Sequence, residues 1–170
     1  MFEAGIDPSL SGAERYRVLE ESLRSLLDGE PDPLANLANA VGLLFHSLEA
    51  INWCGVYLLR DRSERSGDAE LVLGPFQGKP ACVRIPLGKG VCGTAARERA
   101  TVVVPDVTRF PGHITCDPAS RSEIVVPILE NDVLRGVLDV DAPEVGRFDG
   151  EDVAGLERFV RELTPRVAWG

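Results

Sequence analysis

Two apolar stretches, residues 123–129 and 134–140, are separated only by Glu130-Asn131-Asp132. So short a link predicts two strands paired antiparallel as neighbours in one sheet. The acids on this pair are unusual. Asp139 and Asp141 stand at i and i+2 in Gly136-Val137-Leu138-Asp139-Val140-Asp141, so they project from one face. Glu123 opens the partner strand, and Val125, Pro127 and Leu129 share its parity. A face half apolar and half acidic suits a pocket better than a solvent-facing sheet edge, where carboxylates serve to block aggregation. Burying acids is unfavourable unless they are paired, protonated or bound to a ligand. Three in one cavity raise at least one pKa, leaving an acid able to donate a proton while the others hold a cation.

The remaining pattern predicts an α+β fold. Residues 11–29 carry Leu19, Leu23, Leu26 and Leu27 at helical spacing, with Gly29 as the stop. Asp32-Pro33 reads as the cap and first position of a second helix that buries Leu34, Leu37, Val41, Leu44, Phe45 and Leu48. Strands are expected at 53–59, 71–73, 83–86 and 101–104, with a solvated loop at 60–70 and a short helix at 91–99. A long Pro- and Gly-containing loop spans 105–122, a length usually functional or disordered. A last helix begins at Asp149 and turns Val153, Leu156, Phe159, Val160 and Leu163 inward. The expectation is one domain over residues 1–170, with N-terminal helices at 11–50, sheet and loops at 52–142 and a C-terminal helix at 149–168. Its central antiparallel sheet has about six strands, with helices on one face.

A net charge of −9 argues against a nucleic-acid partner, which would call for a basic stripe. No segment approaches the ~20 apolar residues of a membrane span. The N-terminus lacks a signal-peptide pattern, so a cytoplasmic location is expected. In a reducing compartment the four cysteines are read as free, metal-bound or catalytic.

Cys92 lies at the start of the short helix, where a thiolate would be stabilised, or where a small residue would simply pack the helix on the sheet. Cys82 borders a sheet edge, and as an isolated cysteine it also fits a structural role. Cys116 sits in the long loop with little core to fill, which favours reactivity, whereas Cys54 lies in an apolar strand and reads as core. Zinc is disfavoured, since the gaps between cysteines are 27, 9 and 23 residues and neither His46 nor His113 forms a recognisable pair. His46, on an apolar helix, reads as structural. Gly88-Lys89-Gly90 lacks the phosphate-loop pattern and reads as a tight turn.

Sulfoxide reduction unites these groups without metal or cofactor. A thiolate attacks the substrate sulfur, an acid protonates the oxygen, and the resulting sulfenic acid condenses with a second thiol to a disulfide that an external dithiol reduces. Cys116 is the expected nucleophile, Cys82 the resolving thiol and Cys92 its alternative. Glu123 is the expected acid, with Asp141 as a second candidate. Trp53 and Tyr57, on one strand face, could wall a slot for a methylthio group or serve as core. An acidic pocket disfavours thiolate. Substrate charge could relieve that, or the thiol could pass its proton to a carboxylate during attack.

Asn52-Trp53, GPFQGKPACVRIPLGKGVCGTAA (74–96), VPDV (104–107), FPGHITCDPASRSEIVVPI (110–128), GVLDVDAP (136–143) and RFD (147–149) closely resemble the free methionine-(R)-sulfoxide reductases. The resemblance covers nearly everything from 52 to 152. It implies a GAF fold, free methionine sulfoxide as substrate with preference for the R epimer, and thioredoxin as reductant. It also implies a homodimer, Cys116 as attacking cysteine, and Cys82 and Cys92 at the disulfide-forming positions. Glu123, Asp139 and Asp141 match the family's pocket acids. Cys54 departs from an expected small residue such as alanine, and the loop around 62–68 looks longer than usual. The competing reading is a non-catalytic GAF sensor of a small molecule or of oxidants, which tight cyclic-nucleotide binding without turnover would favour.

Overall fold

Ser11 starts the first helix by a reciprocal cap with Glu14, giving α1 at Gly12–Leu26. Asp32 accepts the Ala35 amide ahead of Pro33, giving α2 at Pro33–Ser47. In this computed structural model, which describes residues 10–61, 69–114 and 117–169, six strands follow. They are β1 Trp53–Asp61, β2 Ala69–Gln77, β3 Arg84–Pro86, β4 Val102–Val104, β5 Ser122–Glu130 and β6 Val133–Ala142. Helix α3, Gly90–Glu98, lies between β3 and β4, and α4, Gly150–Leu163, closes the order.

All pairings are antiparallel, in the order β3-β2-β1-β6-β5-β4. The β5–β6 link is as tight as its length requires, with both Asn131 and Asp132 at positive φ. Gly136 lets β1 and β6 approach, because a Cβ there would lie 2.2 Å from the Tyr57 carbonyl oxygen.

Alternation on the strands sorts side chains into two cores. Cys54, Val56, Ile124, Val126, Leu138 and Val140 face the three long helices, meeting Leu19, Leu23, Leu44, Leu156 and Phe159. Trp53, Tyr57, Val125 and Val137 face the other way, against Val91, Ala95 and Ala96 of α3. The long helices therefore lie on one face as expected, and the short one covers the opposite face. Cys54 is a core residue, as read.

Five expectations change in detail. Strand β2 runs through Gly74-Pro75 to Gln77, because the register shifts between Gly55 and Tyr57 and the extra residue is absorbed as a bulge that tolerates proline. Leu34 is 64% exposed; Ala40 and Leu43 are buried on α2 beside Leu37, Val41 and Leu44. His46 is exposed, with its ring edge-on to Phe45. The last α-helix ends at Leu163 and continues as a 3-10 turn, Thr164–Arg166. The solvated loop expected at 60–70 gives up its ends, since Arg60 and Asp61 close β1 and Ala69 and Glu70 open β2, and its remainder, 62–68, lies outside the described residues. Among the described residues, no helix is long and apolar enough to cross a membrane.

Candidate active site

Register places the three acids together. Asp141 pairs with Trp53 on one side and with Glu123 on the other, and Asp139 pairs with Gly55 and Val125. Their side chains project towards α3, where they line a cavity with Trp53, Tyr57, Ile85, Lys89, Cys92, His113, Ile114, Asp117 and Ser120. The apolar wall is ordered. Trp53 stacks on Phe76 at 5.6 Å between ring centroids and on Tyr57 at 6.0 Å. Its indole N–H donates to the Lys79 carbonyl at 3.0 Å, and the Tyr57 hydroxyl donates to the Cys82 carbonyl at 3.0 Å.

Glu123, Asp139 and Asp141 are all buried. Burial raises all three carboxyls well above their ordinary range, and the charge of a neighbouring acid adds to it: Asp141 for Glu123, Glu123 for Asp139, and Asp139 for Asp141. Asp139 Oδ1 is buried and has no partner among the described residues. That oxygen marks where a donor from a ligand would be satisfied.

Cys92 is drawn into the same cup. Its thiol donates to Asp139 Oδ2 at 3.2 Å and stands 3.9 Å from Glu123 Oε1. Of the two readings of Cys92, a stabilised thiolate or a small residue packing the helix on the sheet, the surroundings favour the second, because burial and the charges of Asp139 and Glu123 push its pKa well up. Two adjacent acids outweigh the partial charge of one short helix. The sulfur and two carboxylate oxygens lie within 4.8 Å of one another, so these are the described residues that could grip a cation, whether an ammonium or a metal ion.

Cys82 is half-buried in the loop before β3, at the sheet edge anticipated for it. Cys116 lies outside the described residues, between Ile114 and Asp117, which both line the cavity. Asp117 is held by the Ala119 amide at 2.8 Å, the Lys79 ammonium at 3.1 Å and the Asn52 amide at 3.3 Å. These contacts, the Ala119 amide first, keep its carboxyl below the usual range.

His113 is the group that sequence reasoning undervalued. Its Nε2 lies 3.5 Å from Glu123 Oε2, and burial lowers its pKa, which favours the neutral ring. The clue available was its place in the long loop, three residues before Cys116. Lys89, read only as part of a turn, also lines the cavity from the cap position of α3.

Known proteins share this fold and much of this sequence. The GAF domain pattern matches residues 32–165. The free methionine-R-sulfoxide reductase of Escherichia coli K12 is 47% identical over 159 residues, covering 94% of this chain and 92% of that protein. The free methionine-R-sulfoxide reductase of Saccharomyces cerevisiae is 43% identical over 159 residues, covering 89% and 86%. The solved structure of the Neisseria meningitidis free methionine-R-sulfoxide reductase with its substrate superposes at a TM-score of 0.86 and 41% identity. That match covers 96% of this chain and 95% of the other.

Proposed function

This chain belongs to the GAF family and, within it, to the free methionine-R-sulfoxide reductases, and from that premise we propose that it reduces free L-methionine (R)-S-oxide to L-methionine with its own thiols. The observation that carries the reading is the buried acidic cup beside an aromatic wall. The α-ammonium of a free amino acid supplies the positive charge that Glu123, Asp139 and Asp141 lack, and Trp53 and Tyr57 face the methylthio end.

Cys116 attacks the sulfoxide sulfur. The oxygen passes to the cysteine, giving methionine and a sulfenic acid, and a carboxyl of the cup kept protonated by burial supplies the proton the oxygen needs. Glu123 is the first candidate for that donor and Asp141 the second. Cys82 then attacks the sulfenic sulfur and water leaves, forming a disulfide that a thioredoxin-type dithiol reduces. Cys92, protonated and hydrogen-bonded to Asp139, is ill placed to attack first and stands as the alternative partner. The working unit is a homodimer.

The test supplies purified protein with free methionine R-sulfoxide and either dithiothreitol or reduced thioredoxin. Methionine should form with both. Cys116→Ser should abolish it, and Cys82→Ser should impair thioredoxin-supported turnover more than a single turnover. Full activity in Cys116→Ser, or equal activity on an oxidised peptide, would overturn the reading; sedimentation of a monomer would remove the dimer.

A further inference from the structure

The two loops that bear the redox pair are tied to each other and to the start of β1. Lys79 lies three residues before Cys82, and Asp117 directly follows Cys116. Lys79 Nζ donates to Asp117 Oδ1 at 3.1 Å; the carboxylate is buried and the lysine is largely exposed. Both sides of this bridge are anchored on β1 and the residue just before it. Trp53 holds the Lys79 carbonyl, Tyr57 holds the Cys82 carbonyl, and Asn52 holds Asp117 Oδ2. Lys79 is not among the residues that wall the cavity. An ion pair with one exposed partner adds little to stability, so its effect is in where it sets the loops.

We propose that Lys79 is a positioning residue for the second half of the reaction: its ion pair with Asp117 keeps the Cys82 loop in register with the Cys116 loop, so that the two sulfurs meet once Cys116 is oxidised. The inference rests on the thiol mechanism above. In this step the Cys82 thiol attacks the sulfenic sulfur, the S–O bond breaks as the S–S bond forms, and the oxygen departs with two protons as water. No outside oxidant or reductant enters. Sulfoxide reduction itself does not involve Cys82, and the Ala119 and Asn52 contacts hold Asp117 at the cavity without Lys79, so this register bears on the second step. A misplacement of 1 Å between reacting groups can slow a step by about 100-fold.

The experiment mixes reduced protein with one equivalent of free methionine R-sulfoxide and follows two products, methionine and the protein disulfide, with a 1,3-diketone to trap sulfenic acid. Lys79→Met should release methionine at the wild-type rate, form the disulfide at least about tenfold more slowly, and accumulate trappable sulfenic acid. Lys79→Arg keeps a cation within reach of Asp117 and should restore most of the disulfide rate. Wild-type disulfide formation in Lys79→Met, equal slowing of both products, or no rescue by arginine would overturn the proposal. Failure of the wild type to form methionine would instead overturn the thiol mechanism, and it would be visible before any variant is made.

Discussion

Replacing Asp139 by asparagine separates what the acidic cup does to the fold from what it does for the substrate. The carboxyl is 6% exposed, with the Cys92 thiol on Oδ2 and no partner for Oδ1 among the described residues. Burial, then the Glu123 charge, raises its pKa well above the ordinary range. In the unfolded chain it ionises near 3.9, as any aspartate does. Between those two pKa values the folded protein keeps a proton that the unfolded chain has released, so stability falls as pH rises, by about 1.4 kcal/mol per pH unit. Below the unfolded pKa both states are protonated and the effect vanishes.

Asparagine does not titrate. Relative to wild type, Asp139→Asn should therefore gain stability steadily from about pH 4 upward until the folded-state pKa is passed. Glu123 and Asp141 keep a slope of the same sign in the variant. Activity should move the other way. Removing one member of a desolvated charge pair costs about 2–5 kcal/mol, and with two acids left the lower end applies, roughly a 30-fold fall in kcat/KM. Urea unfolding of both proteins near pH 4, 6 and 8, alongside steady-state kinetics, reads both effects. If the stability gap shrinks or reverses as pH rises, Asp139 is ionised in the fold and the reasoning fails.

Gly93→Ala should loosen α3, because a Cβ there would lie 2.4 Å from the Pro86 carbonyl oxygen and 3.1 Å from the Gly88 nitrogen, both backbone atoms that cannot swing aside. We expect a loss of about 1–3 kcal/mol in urea unfolding, together with a raised KM, since Cys92 is the neighbouring residue. Tyr16→Phe removes the hydroxyl that donates to Asp152 Oδ1 at 2.8 Å in the helical core, while Arg147 and the Asp149 amide still bind that carboxylate. A loss of about 1–2 kcal/mol with unchanged kcat/KM is expected, and a change in kcat/KM would show that the two faces of the sheet are coupled.

Features governed by local chemistry could be read in the sequence. The caps at Ser11, Asp32 and Asp149 rest on side chains that reach amides two or three residues on. The face shared by Asp139, Asp141 and Glu123 follows from strand alternation and a short link. Features set by tertiary packing could not. Gly74-Pro75 looks like a strand end until a bulge opposite Val56 absorbs it. Which sheet face receives α3 depends on the path of the chain around β3 rather than on the helix's own residues. The two readings of Cys92 could not be separated because its two acidic neighbours are 31 and 47 residues away in sequence, and His113 was undervalued because its approach to Glu123 is a tertiary contact.

Under the proposed role of the three acids, the same proton count that weakens the fold gives the site its selectivity. Three carboxyls share a face with Val125 and Val137, and they are held towards the neutral form by burial and by one another. An ammonium brought among them favours ionisation, and the acids that ionise bind it more strongly than neutral carboxyls would. A methionine sulfoxide inside a peptide presents a neutral amide in that place. It leaves the acids protonated and Asp139 Oδ1 without its partner, while the flanking chain must pass Trp53, Tyr57 and the His113 loop. Sites built on buried polar groups reject analogues that leave those groups unpaired by about 10⁴–10⁵-fold, far more than shape alone achieves. On that reading, discrimination for the free amino acid follows from charge. It should weaken stepwise as Glu123, Asp139 and Asp141 are neutralised by amide substitution, even where the Trp53–Tyr57 wall is left intact.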